Sequence, residues 1–132
     1  MLAWLVAFAF TQIVECPIYV AALGRDGPAR SLRARLALAF SASAITHPVV
    51  WFVIPHLWRV TGHGTGYVGL VITSEAFAVL VEAELLRGFG LRRSMIWSLV
   101  ANGASAGLGY LCWPVLGYLA GYLRWVLIGG PG

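Results

Sequence analysis

The N-terminal apolar run decides the fold, since residues 2–23 read LAWLVAFAFTQIVECPIYVAAL. Thr11, Gln12 and Glu15 interrupt this run. At a rise of about 1.5 Å per residue, a helix of this length extends roughly 33 Å, which is sufficient to cross a hydrocarbon core of about 30 Å. The run lacks a positively charged start, so we expect it to be retained as a membrane-spanning helix rather than cleaved as a signal peptide.

The composition of the whole chain also indicates a membrane protein. Of the 132 residues, 60% are hydrophobic and only 11% are charged, with a mean hydropathy of +0.82. A soluble domain carries about 25% charged residues, so an ordinary soluble domain is excluded. Since the apolar runs fill most of the length, we predict a single transmembrane domain over residues 1–132.

Three further apolar runs predict three more spans, each followed or preceded by a short polar segment. The polar segments combine arginine with glycine or proline, which is typical of turns. The predicted spans are residues 2–23, 36–58, 68–86 and 95–112. The expected fold class is therefore an all-α integral membrane protein, with four transmembrane helices in an up-and-down bundle.

A last apolar run, residues 115–128, follows Pro114. One helix over residues 95–128 would be about 50 Å long, well beyond the hydrocarbon thickness. We therefore predict a separate C-terminal helix, kinked away at Pro114, that lies in the interface or packs on a partner.

The arginines set the expected orientation. The chain has nine basic residues, all arginine, and a net charge of +4. Seven of them fall in residues 24–35 and 87–94, while Arg59 and Arg124 lie on the other side. The positive-inside rule places the two basic segments in the cytoplasm. We predict an integral protein of a bacterial inner membrane, in contact with lipid rather than nucleic acid, with the N-terminus and the C-terminus outside.

Each predicted span carries a polar or charged residue near one common depth: Glu15, His47, Glu75 and Asn102. Counted from the cytoplasmic ends, these residues fall within roughly 6 Å of each other along the membrane normal. A charged group at mid-membrane costs about 2.5 to 3.5 kcal/mol on insertion scales, so such groups normally face a protein interior. We therefore expect these four side chains to border one interior volume and to form a cation or proton site.

Further polar residues extend these stripes at helical spacing. Those that share a face with the four candidates are Gln12, Ser43, Glu82 and Ser105, and they are expected to support the site. Glu82 and Glu84 lie close to the cytoplasmic end, where we expect them to reach water or to pair with Arg87. Glu75 is the stronger candidate for a functional carboxylate.

Three functions use such a polar layer. The first is a transporter or channel element that binds or moves a proton or metal cation at the midplane. Because four helices are few for alternating access, it predicts a homo-oligomer. The second is an intramembrane metalloenzyme, in which Glu15, His47 and Glu75 hold a divalent transition metal such as zinc, manganese or iron. The third is a structural or accessory subunit of a larger membrane complex, in which the polar residues hold the helices together.

In size, in its four predicted spans and in the position of Glu15 within the first span, the chain is similar to the small multidrug-resistance transporters. It departs from their pattern in the third span, which lacks a matching glycine-rich aromatic stretch, and His47, Glu75 and Glu82 have no counterpart there. The resemblance implies transport by analogy alone.

Overall fold

The computed structural model describes residues 1–62 and 66–128, and within these ranges the chain is helical with no β-strand. The elements are α1 (Leu2–Arg25), α2 (Leu32–Pro48), a π-helical segment (Val49–Val53), α3 (Ile54–Val60), α4 (Tyr67–Gly88) and α5 (Ser94–Ile128). The predicted all-α class is confirmed. The polar turn predicted between the spans 36–58 and 68–86 includes residues 63–65, which lie outside the described ranges.

The helices pack as a ring around one interior. α1 packs against α2 and α5, and α4 packs against the same two helices. Small side chains occupy the contacts, since Ala22, Ala39, Ala42 and Ala101 are all completely buried. Small residues allow the backbones to approach closely, which is typical of helix packing in membranes.

The two arginine-rich segments meet at one end of the bundle. The Arg92 amide donates to the Asp26 carbonyl at 3.0 Å, and the Trp97 indole Nε1 donates to the Asp26 carboxylate at 2.7 Å. Arg30 donates to the Phe89 carbonyl at 3.1 Å. We call this the arginine-rich end of the bundle.

Within residues 1–62 and 66–128, three helical segments are long and apolar enough to cross a membrane: Leu2–Arg25, Leu32–Val60 and Ser94–Leu127. The second of these joins α2, the π-helical segment and α3. Pro48, which cannot donate a backbone hydrogen bond, lies where the α-helical pattern changes to the π-helical one. α4 matches the others in length but carries three glutamates, Glu75, Glu82 and Glu84.

The predicted separate C-terminal helix is wrong, because residues 94–128 form one 35-residue helix that runs through Pro114. A proline inside a helix removes one backbone hydrogen bond. The residues on both sides of Pro114 nevertheless remain helical. At 1.5 Å per residue the helix is about 52 Å long. From the middle of the helix onward, Tyr110, Trp113 and Tyr118 are between 63% and 84% exposed.

The loop predicted over residues 24–35 is also too long. α1 continues to Arg25 and α2 begins at Leu32. Ser31 caps α2, since its hydroxyl accepts a hydrogen bond from the Ala34 amide at 3.3 Å. Ser is a preferred residue at this position because it satisfies a free amide of the first helical turn.

Candidate functional site

The bundle surrounds a cavity of about 230 Å³, and α1, α2, α4 and α5 all contribute polar side chains to its wall. Of the residues predicted for the site, seven line this cavity: Glu15, Ser43, His47, Glu75, Glu82, Asn102 and Ser105. Gln12 does not line it, and its side-chain oxygen instead accepts from the Cys16 thiol at 3.0 Å. Most of the residues predicted from helical spacing and common depth thus line one cavity.

Glu82 is a hydrogen-bonding centre that joins all four helical segments. Its carboxylate accepts from the Tyr19 hydroxyl of α1 at 2.5 Å, from the Thr46 hydroxyl of α2 at 2.6 Å and from the Asn102 amide of α5 at 2.9 Å. Glu82 is only 1% exposed. The expectation that it reaches water or pairs with Arg87 is therefore wrong, because its helical face turns the side chain into the bundle.

Glu84, two residues further along, behaves as expected for an exposed residue. Its carboxylate forms an ion pair with Arg87 at 2.5 Å, and both side chains are more than half exposed. Two glutamates separated by one residue on α4 thus have opposite surroundings, which makes Glu84 a suitable control for substitutions elsewhere on this helix.

Glu15 forms a second centre on the facing wall. It accepts hydrogen bonds from the Ser43 hydroxyl of α2 and from the Ser105 hydroxyl of α5, the latter at 2.6 Å. Glu15 is 1% exposed. Both buried glutamates are therefore satisfied by neutral hydroxyl and amide donors.

The cavity wall holds three carboxylates and no fixed positive charge. Glu15, Glu75 and Glu82 all line it, and its lining includes no arginine, while the chain contains no lysine. A charge buried in a protein is normally paired, because the desolvation of an isolated charge is costly. The arrangement therefore favours a proton or another cation inside the cavity.

Glu75 differs from the other two carboxylates because no described residue donates a hydrogen bond to it. It lines the polar cavity and also a second, larger cavity of about 640 Å³ between α4 and α5. Its carboxylate is thus the one buried or half-buried acid in the described ranges that accepts no hydrogen bond from a described residue. It is the residue best placed to bind a ligand.

His47, a residue of α2, is surrounded by aromatic rings. Its ring centroid is 5.1 Å from that of Phe8, 6.0 Å from that of Trp51 and 6.1 Å from that of Trp4. The side chain is 8% exposed, and its Nδ1 atom has no hydrogen-bond partner among the described residues. The imidazole therefore brings an unpaired polar atom to the cavity wall.

We expect His47→Phe to leave the thermal stability unchanged or to raise the free energy of unfolding by up to about 1 kcal/mol. The substitution removes an unsatisfied buried polar atom and keeps an aromatic ring among Trp4, Phe8 and Trp51. Thermal unfolding of the purified protein in detergent measures the effect. A loss of stability comparable to that of a disrupted core would show instead that Nδ1 has a stabilising partner.

The structure does not bring three potential metal ligands together. Among the described residues, no group of three or more His, Cys, Asp or Glu side chains is arranged to hold a metal ion. Glu15, His47 and Glu75 share a cavity without forming such a group. The chemistry of the site is therefore that of carboxylates with neutral hydrogen-bond donors.

Two residues of the site, Tyr19 and Thr46, are not among the predicted site residues, although the helical spacing places Tyr19 on the same face of the first span as Gln12 and Glu15. Tyr19 is completely buried, and its hydroxyl contacts Glu82, Ser98 and Asn102. Both residues lie at helical spacing from predicted ones, Tyr19 four residues after Glu15 and Thr46 three after Ser43. That spacing is the signal that could have found them.

Comparisons with protein-family models, with curated proteins and with solved structures gave no match to the chain.

Proposed function

We propose that the protein spans a membrane with four helical segments and binds a cation, either a proton or a larger species, at Glu75. The observation that supports this most directly is the free Glu75 carboxylate, in a cavity with two further carboxylates and no arginine. Transporters commonly keep such sites near the middle of the membrane. We therefore infer a transporter or channel element.

The surfaces of α4 support its inclusion as the fourth span. Glu82 is turned into the bundle, while Val68, Ile72 and Leu80 are 69%, 63% and 53% exposed. A helix with charged residues inside and aliphatic residues outside suits a lipid environment. Glu84 and Arg87 lie near the arginine-rich end, where water is accessible.

We expect reporter fusions at Arg30 and Arg92 to be cytoplasmic and a fusion after residue 128 to be on the opposite side. Seven of the nine arginines lie in residues 24–35 and 87–94, the segments of the arginine-rich end of the bundle. The positive-inside rule assigns this end to the cytoplasm. Alkaline phosphatase and fluorescent-protein fusions measure the two locations. A cytoplasmic C-terminus would contradict the proposed orientation.

The proposed activity is tested by flux in liposomes. Purified protein is reconstituted with a pH-sensitive dye inside, and an outward or inward gradient of a test cation is imposed. If the protein binds the test cation, we expect the imposed gradient of that cation to drive a pH change that empty liposomes do not show. Protein-containing liposomes in which neither protons nor any tested cation move faster than in empty liposomes would overturn the proposal.

A structural role is the second candidate, and one specific observation favours it. Glu15 and Glu82 are both satisfied by donors from neighbouring helices, as expected of residues that hold a bundle together. Interhelical hydrogen bonds of this kind contribute about 0.6 kcal/mol each in a membrane. With the exposed second half of α5, they suit an oligomer or a subunit of a larger membrane complex.

A further inference from the structure

The arginine-rich end of the bundle carries more positive charge than its own carboxylates balance. Seven arginines lie at this end, and the two acidic residues near them are Asp26 and Glu84. Glu84 pairs with Arg87, whereas the Asp26 carboxylate accepts from the Trp97 indole. Among the described residues, no other arginine of this end forms an ion pair. Such an unbalanced positive charge attracts anionic groups from outside the protein.

Arg35 has a fixed place at this end, between the first turn of α2 and the last turn of α1. A Cβ atom added at Gly24 would lie only 2.2 Å from the Arg35 Nη1 atom, so the guanidinium fits because residue 24 has no side chain. Its Nε atom is shielded from solvent and has no hydrogen-bond partner, and no described residue accepts from its other nitrogens. A partly buried donor without an acceptor is costly. An oxyanion, which can accept two parallel hydrogen bonds from arginine, would satisfy this group.

The surface of α2 next to Arg35 is apolar. Leu32, Leu36 and Phe40 follow one another at a spacing of four residues and therefore share one face of the helix. They are between 47% and 56% exposed. A basic group at the end of an apolar strip matches a phospholipid, which joins an anionic phosphate to acyl chains. A nucleic acid or an acidic protein surface would satisfy the arginine and leave the apolar strip uncovered.

We propose that the protein binds an anionic phospholipid where α1 ends and α2 begins, with the lipid phosphate at the Arg35 guanidinium and an acyl chain along Leu36 and Phe40. This inference rests on the proposed insertion in a membrane and is independent of cation binding at Glu75. A zwitterionic lipid also has a phosphate, but its positive headgroup is repelled by the neighbouring arginines. A lipid with a net negative charge is therefore favoured at this site.

The test counts the lipids that bind to the purified protein in detergent by native mass spectrometry. The probe is dioleoyl phosphatidylglycerol, and the control is dioleoyl phosphatidylcholine, which has the same acyl chains and no net charge. An excess of inorganic phosphate, added as a competitor, separates a lipid site from a site for a free anion. We expect one phosphatidylglycerol per chain to bind at least about fivefold more tightly than phosphatidylcholine, the factor that corresponds to one arginine near an anionic lipid. Inorganic phosphate should not displace it.

Two pairs of variants separate a defined site from diffuse attraction. Gly24→Ala keeps every charge but places a methyl group where the Arg35 guanidinium lies, so it should weaken phosphatidylglycerol binding about fivefold. Gly88→Ala, in the last turn of α4, adds its methyl group in open space and should have no effect.

Arg35→Gln should weaken binding by the same factor as Gly24→Ala. Arg87→Gln also removes one positive charge from this end, but from a guanidinium that is already paired with Glu84, and it should leave binding nearly unchanged. Alanine favours a helix more than glycine does, so Gly24→Ala should remain folded even if Arg35→Gln does not. Thermal unfolding of each variant checks the fold.

Equal binding of the two lipids, or displacement of phosphatidylglycerol by inorganic phosphate, would overturn this inference. Equal losses in Arg35→Gln and Arg87→Gln, with no effect of Gly24→Ala, would also overturn it, because binding would then depend on total charge alone. Glu75→Gln should leave lipid binding unchanged. If cation binding depends on Glu75 and the lipid preference is absent, the lipid site is wrong while the proposed cation site stands. The opposite result supports the lipid site and contradicts the cation site.

Discussion

Replacing Glu75 with glutamine is expected to reduce cation affinity by about two to three orders of magnitude and to abolish cation-driven proton movement. At a separation of about 4 Å and an effective dielectric constant near 20, a pair of opposite charges contributes roughly 4 kcal/mol, which glutamine cannot replace. Glutamine keeps the shape of the side chain, and no described residue donates a hydrogen bond to Glu75. Thermal stability should therefore be retained.

The control for this substitution is Glu84→Gln, which removes a carboxylate from the same helix. Glu84 is exposed and pairs only with Arg87 in the described ranges, and exposed pairs contribute at most about 1 kcal/mol. Binding, liposome flux and thermal unfolding are measured for both variants. If Glu75→Gln lowers stability without changing binding, or if the two variants behave alike, the functional assignment of Glu75 is wrong.

The largest loss of stability is expected for Glu82→Leu, at about 2 to 4 kcal/mol. The change removes the acceptor shared by Tyr19, Thr46 and Asn102. A buried donor without an acceptor costs about 1 to 3 kcal/mol. Thr46 can still donate to the Ser43 carbonyl and Asn102 to the Ser98 carbonyl. Tyr19 keeps only the longer contact of 3.3 Å to the Ser98 hydroxyl, so the Tyr19 hydroxyl accounts for much of the loss.

The double variant Glu82→Leu, Tyr19→Phe tests this explanation. Removing the donor together with its acceptor should recover part of the lost stability, because two apolar partners leave no unsatisfied group. Unfolding in mixed micelles with increasing denaturing detergent provides the free energies, with Glu84→Leu as the exposed control. A Glu82→Leu variant as stable as the parent would show that the network does not hold the helices together.

The helical class and the polar layer could be predicted because both depend on periodicity. Glu15, His47, Glu75 and Asn102 line one cavity, and a charged residue in an apolar run has few stable positions other than a protein interior. The helical face of Glu82 predicts a supporting role in the site, whereas its depth, counted from the predicted end of the span, wrongly predicts contact with water. The helix continues to Gly88, which places Glu82 about 9 Å inside it.

Other features depend on contacts that the sequence pattern does not contain. Tyr19 and Thr46 share helix faces with predicted residues, but the spacing does not reveal that both hydroxyl groups donate to Glu82. The continuity of α5 was missed because a proline and an excessive length both favour a break. The pairing of Asp26 with Trp97 joins residues in two distant segments and could not be inferred from either one.

The most direct test of the central claim, that Glu75 receives the cation, is infrared difference spectroscopy of the reconstituted protein. Addition of a cation that the protein binds should change the carboxyl or carboxylate bands of one glutamate. This change should disappear in Glu75→Gln and persist in Glu84→Gln. A cation-induced carboxyl change that is identical in Glu75→Gln and the parent protein would contradict the claim.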